Sequence, residues 1–277
     1  DAYRPKADEE LKEITAFAKQ EGFNDEMMPW DWAFWSEQYK QKFYNLEDEL
    51  FRPYFALDNV ISAVFNLATT LYGLKFVERK DIPVYHSDVK AFEVKDEDGS
   101  YLGLLYTDFF PRDGKRSGAW MSNFQEQYHD ANGVDHRPHI VLVMNFTPPT
   151  GDKPALLTAG EVHTFLHEFG HAMHGMLSKV RFGSLSGTGV ARDFVELPSQ
   201  IMENWLAQRE WLMSFAKHYE TGEAIPEELL ERSKKARYFL VGYSCLRQLS
   251  FGYLDMAWHS IEAPLDESLD VKRYEDN

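Results

Sequence analysis

Cysteine occurs once in this chain of 277 residues, at Cys245. That excludes an intrachain disulfide framework and points to a reducing, cytoplasmic setting. Long apolar runs are missing as well. The richest stretch, 60–71, is broken by Ser62, Asn66, Thr69 and Thr70, so no segment suits a membrane span. Basic charge is scarce: 29 Lys and Arg stand against 45 Asp and Glu, a formal net charge of −16. Nucleic-acid binders need a basic face to displace counterions, so no such partner is expected. There is no initiator Met and no basic or apolar leader, and the chain stops at Asp276-Asn277 without a structural signal. These ends predict a piece of a longer protein. No G-x-S-x-G string occurs, which leaves a serine hydrolase without support.

What is present is a packed globular composition, 44% apolar and 15% aromatic, enough for a sizeable core. The patterning predicts three helices in 1–75. The first, 8–20, carries Leu11, Ile14, Phe17 and Ala18 at spacings of three and four and ends at Gly22. A second runs over 30–51, and a third over 57–72 closes at Gly73. The region 84–146 changes to β-branched and aromatic runs. Strands are expected at 84–94 and 101–106 around Glu97-Asp98-Gly99, and a buried one at 139–146. An edge strand is expected near Trp120. From Thr158 to about 262 helical periodicity returns. The expectation is a single α+β unit over 1–277, mainly α with a small sheet in its middle.

The chemistry concentrates in His167-Glu168-Phe169-Gly170-His171, an HExxH string. Residues four apart share a helix face, so His167 and His171 can address one cation, while Glu168 stands beside it as a base for water. Thr158 and Glu161 form a capping box that starts this helix nine residues before His167. Gly170 is a poor helix former, and close approach by another backbone would explain it. His163 and His174 lie four before and seven after His167. They are read as packing residues or as hydrogen-bond partners of ligands or substrate, not as ligands. A catalytic zinc needs a third protein ligand. Leu177 excludes the metzincin position, and an acidic segment at 193–205 offers Glu196 and Glu203, seven apart on one face. Pro198 marks the first turn of that helix and puts Glu196 near its amino end. Asp193 is expected either to cap it or to support a ligand, and Glu203 is placed with it as a ligand-supporting residue.

These strings resemble a known family, the thimet-oligopeptidase-like zinc metallopeptidases. Glu161 through His174 is similar to the family signature almost throughout. Val195-Glu196, Pro198-Ser199-Gln200 and Glu203-Asn204-Trp205 match its second motif, 24 residues after His171. The resemblance implies a zincin-like catalytic core with one zinc per chain. It assigns His167, His171 and Glu196 as ligands and Glu168 as general base. Leu185-Ser186-Gly187-Thr188, Arg192-Asp193-Phe194 and 114–121 are most similar to the peptidyl-dipeptidase branch, with oligopeptidases of the same family as the alternative. Family members are more than twice as long and carry a later His and Tyr-rich string for the substrate carbonyl. Here only Gly242-Tyr243 and Phe251-Gly252-Tyr253 echo it.

The expected partner is a short peptide, lying extended along the edge near Gly118-Ala119-Trp120-Met121, with His174 also in reach. A free carboxylate would be read by one of Arg112, Lys115, Arg116 and Arg192. Residues 183–189 form either a wall of the cleft or a plain connector. The chain is expected to be a monomer, cut from its parent. A non-enzymatic, zinc-stabilised scaffold is the rival reading for these residues alone.

Overall fold

The computed structural model describes residues 2–44, 48–262, 265 and 268–275. Helices α1 (Arg4–Gln20), α2 (Pro29–Tyr44) and α3 (Leu57–Tyr72) precede strands β1 (Lys75–Glu78), β2 (Lys90–Lys95), β3 (Tyr101–Asp108), β4 (Trp120–Gln125), β5 (Tyr128–His129), β6 (Asp135–His136) and β7 (His139–Val143). Helices α4 (Ala159–Met176), α5 (Leu197–Glu203), α6 (Arg209–Phe215), α7 (Glu227–Ala236), α8 (Val241–His259) and α9 (Val271–Glu275) follow. The class is α+β, mainly α, as expected. The chain forms two compact units, Asp1–Leu46 with Glu231–Asn277, and Glu47–Leu230.

In the first unit α1 packs on α8, and the buried carboxylate of Glu10 caps the α8 amino end. Its Oε1 and Oε2 accept the backbone N–H groups of Gly242 (3.2 Å) and Tyr243 (2.8 Å). An anion is favoured at this end of a helix. Tyr243 also packs its ring, tilted by 32°, against Trp32 at 4.5 Å. Cys245 is half-buried on α8.

The second unit is built on a five-stranded sheet in the order β1-β2-β3-β7-β4. All pairings are antiparallel except β3 with β7, and β4 is an edge, bonded among the described residues to β7 alone. Alternation along β7 separates two faces. Val141 and Val143 join Val89, Ala91 and Tyr106 on one, with Trp120 packed against them. Ile140 turns to the other face, where α4 lies close enough that a Cβ on Gly175 would stand 2.8 Å from its Cδ1. Phe165 and Phe169 of α4 are wholly buried, Phe169 against Phe65 and Phe76 at 6.1 Å and Phe165 against Phe109 at 5.2 Å. His167 and His171 lie about 200° round the helix from those rings. The aromatic core thereby turns both imidazoles away from itself.

A buried charge cluster fixes the approach to β4. Asp108, 1% exposed at the end of β3, takes a two-pronged contact from Arg112 (2.7 and 2.9 Å), a bond from Lys115 (2.9 Å) and the Tyr85 hydroxyl (2.8 Å). Lys115 also donates to the carbonyls of Phe110 and Met144.

Several boundaries differ from the sequence reading. Helix α1 starts at Arg4, with Pro5 in its first turn, and Leu11 faces outward. Helix α2 is described to Tyr44; of the expected continuation to 51, residues 45–47 lie outside the described residues and Asp48–Leu50 is a short 3-10 helix, not α-helix. No strand forms at 84–88, where Val89 bonds back to His86 in a turn and Tyr85 is drawn to Asp108. Strand β7 ends at Val143, beyond which Met144 and Phe146 bond to Asp108 and Phe109. Strand β1 was not anticipated. Helix α4 stops at Met176, whose carbonyl accepts from Arg137 at 2.7 Å; a cation suits a helix carboxyl end. Helix 57–72, the edge strand and the capping box stand as read.

Candidate metal centre

The centre is set by the crossing of α4 and α5. A Cβ on Gly170 would lie 2.5 Å from the carbonyl oxygen of Pro198 and 2.6 Å from Cα of Ser199. The missing side chain is thus the space that the α5 backbone fills. Pro198 occupies the first turn of α5, and Glu196 is its N-cap residue, which suits a residue lacking a backbone N–H. Glu196 is thereby delivered to the histidine face of α4.

One carboxylate oxygen, Glu196 Oε2, lies 3.3 Å from His167 Nε2 and 3.2 Å from His171 Nε2. The three ligand atoms fall within 4.8 Å of one another. Atoms about 2.0–2.1 Å from a tetrahedral ion are separated by about 3.3–3.4 Å, so both measured edges fit a divalent ion held by two imidazoles and a carboxylate. His171 is 8% exposed and its pKa is lowered, first by burial. That keeps the ring neutral, as a metal ligand must be. Its Nδ1 is buried with no hydrogen-bond partner among the described residues.

Glu168 is also 8% exposed. Burial pushes its carboxyl up, Glu196 adds to the rise, and His167 and the Met121 backbone pull the other way. A raised carboxyl next to a divalent site has the character of a general base. Glu203 does not join the three. Its Oε1 bonds His167 Nδ1 at 2.7 Å, the placement of a carboxylate that fixes ring orientation. Asp193 is exposed, caps nothing and makes no side-chain bond among the described residues.

Ser199 was missed by sequence reasoning. Wholly buried, its hydroxyl lies 2.9 Å from both the backbone oxygen and Oε2 of Glu196, the oxygen that faces the histidines. Its position three residues after the glutamate was the only signal.

Of the expected peptide-facing residues, Gly118 has φ +94° and its carbonyl accepts from Asn145 at 2.7 Å. Ala119 is half-buried just before the free edge of β4. His174 packs edge-on to Phe194 at 6.2 Å, with its Nδ1 buried and unpaired among the described residues. Of the candidate carboxylate readers, Arg112 and Lys115 are taken up by Asp108, and Arg116 stacks over Trp120 at 4.9 Å. Arg192 is exposed. Residues 183–189 are docked at their middle: Ser186 is 1% exposed, and Gly187, at φ +51°, donates its N–H to Ser178 Oγ at 2.8 Å.

Comparison with known proteins is consistent with this geometry. Residues 1–275 match Peptidase family M3. The chain is 44% identical over 262 residues to "Dipeptidyl carboxypeptidase" of Escherichia coli (strain K12), covering 94% of this chain and 38% of that protein. It is 43% identical over 258 residues to "Oligopeptidase A" of the same organism, covering 93% and 38%. "Probable cytosolic oligopeptidase A" of Arabidopsis thaliana is 41% identical over 264 residues, 92% of this chain and 38% of that one. The chain therefore spans under two fifths of the length of these relatives. No helix of the described residues is long and apolar enough to cross a membrane. With its HExxH helix, its glutamate-bearing second helix and a match over nearly the whole of its length, the chain belongs to Peptidase family M3, a family of zincin-like metallopeptidases.

Proposed function

We propose that this chain is the metal-bearing part of a zinc peptidase that releases dipeptides from the C-termini of short peptides. His167, His171 and Glu196 hold one zinc per chain, and Glu168 is the general base. When bound, zinc supplies a Lewis acid that polarises a carbonyl and acidifies water. Glu168 takes the proton released as water attacks the scissile carbonyl, then delivers it to the departing amine. Burial, which raises its pKa, makes Glu168 the better acceptor for the first of these transfers. Glu203 holds His167 in the tautomer with Nδ1–H, leaving Nε2 for the ion. The peptide lies extended against the free edge of β4, with its backbone bonding the strand near Gly118, Ala119 and Met121 and with His174 lining its path.

The observation that carries this reading is the shared carboxylate oxygen 3.2–3.3 Å from two imidazole nitrogens. Identity to "Dipeptidyl carboxypeptidase" at 44% supports dipeptide release, while 43% to "Oligopeptidase A" favours internal cleavage as the second reading. A cytoplasmic monomer, with the remaining length of the relatives completing the substrate channel, is part of the proposal. The single cysteine supports the compartment.

The test is mass analysis of products from free and C-terminally amidated peptides, using this chain and a longer polypeptide that contains it, with zinc or chelator. Dipeptides lost on amidation are the expected result. Products from amidated peptides select internal cleavage. Zinc bound without cleavage by either polypeptide would select the inert scaffold. In Glu196→Ala, zinc retention should drop at least tenfold; full occupancy there would hand the third position to Glu203.

A further inference from the structure

We infer that His163 is a positioning residue for the metal centre, an inference that rests on the zinc reading above. Glu203 is held at both ends. Its Oε1 bonds His167 Nδ1 at 2.7 Å, and its Oε2 meets His163 Nε2 at 3.2 Å. His163 and His167 are one helical turn apart on α4, so two imidazoles flank one carboxylate reaching over from the last residue of α5, one hydrogen-bonded to it and one beside its other oxygen.

The second contact has a specific consequence. Glu196 and Glu203 stand seven residues apart on one short helix, which places both carboxylates on the histidine side of α5. A glutamate bonded through one oxygen alone keeps rotamer freedom about its three side-chain torsions, and it competes for a nearby dication. The approach of His163 Nε2 to Oε2, at 3.2 Å, narrows that freedom. Oε1 then stays on Nδ1 of His167, which fixes that ring's tautomer and aims its Nε2 at Glu196 Oε2, 3.3 Å away. His163 thereby separates the two glutamates into a ligand and a ligand-orienting group. The His163 side chain is 49% exposed, so the contact is weak as an ion pair in itself. Its effect is orientational.

The test is zinc affinity, measured by competition with a chromophoric chelator for the full 277-residue chain. The variants are His163→Phe, which keeps a ring and removes the donor, His163→Gln, which keeps a donor, Glu203→Gln, and Glu203→Gln combined with His163→Phe. Loss of a partner bonded directly to a ligand weakens metal binding about ten- to a hundredfold. His163 acts one bond further out, so His163→Phe should weaken zinc about three- to tenfold, with His163→Gln restoring most of it. In the Glu203→Gln background His163→Phe should have no further effect, because the two act through one path. A merely structural role would lower affinity equally in both backgrounds, and that result overturns the inference. So does wild-type affinity in His163→Phe while Glu203→Gln is impaired, which leaves the zinc reading intact. If the wild-type chain bound no zinc, the reading and the inference would fall together. Should His163→Phe fail to fold, wild-type affinity against loss in His163→Ala decides the same question.

Discussion

The carbonyl of Pro198 lies where a side chain on Gly170 would begin, 2.5 Å from the position of its Cβ. The two helices carrying the centre meet backbone to backbone at this point, and the reach of Glu196 to both imidazoles depends on it.

Gly170→Ala should therefore damage the centre without touching a ligand. The added methyl group forces α5 outward, at a cost of about 1–3 kcal/mol for overpacking. Thermal unfolding and zinc retention after dialysis check this together, with both expected to fall. Unchanged zinc retention would mean that α5 is free to shift without moving Glu196.

Glu168→Gln removes the base and keeps the shape. Turnover should fall about 10²- to 10⁴-fold, the usual share of general acid–base catalysis, while zinc content stays at the wild-type level. The comparison needs whichever polypeptide proves active in the peptide assay. Near-normal cleavage by the variant would assign the proton transfer to another group.

Asp108 predicts a pH dependence of stability. Burial raises its pKa, but the bonds from Arg112, Lys115 and Tyr85 outweigh that and hold the carboxyl at about 2. The folded value is below the unfolded one of about 3.9. The stabilisation is therefore fully present above about pH 5 and lost as the pH falls through the unfolded value toward 2, an effect of about 2–3 kcal/mol. In Asp108→Asn the buried Lys115 loses its counter-charge, so the loss at pH 7 should be about 3–5 kcal/mol. Urea unfolding from pH 7 to 2 should show the gap between wild type and variant narrowing only below about pH 5. A constant gap would contradict the assignment.

Local signals were the legible ones. The HExxH string, the Thr158 and Glu161 capping box and the Pro198 turn each act within a few residues, and each is found where the sequence puts it. Gly170 announced a close approach without naming what approaches. The bond of Glu203 to His167 and its approach to His163 depend on how α5 crosses α4, which spacing within either helix does not encode. Strand β1 escaped notice because Lys75–Glu78 is four residues long and mostly exposed, too short to show a period. The Asp108 cluster was hidden for a related reason. Arg112 and Lys115 lie in a turn-rich segment that reads as solvated charge, and only the packed structure reveals Lys115 as 3% exposed.

Among the described residues, the outer side of β4 has no neighbouring strand. A row of main-chain donors and acceptors grips any extended peptide in the same way, whatever its residues. Selection by such a surface falls on how long and how straight the guest is, and much less on what it spells. On the proposed reading, breadth of diet would be a property of the sheet itself, with side chains such as His174 left to set preferences within it.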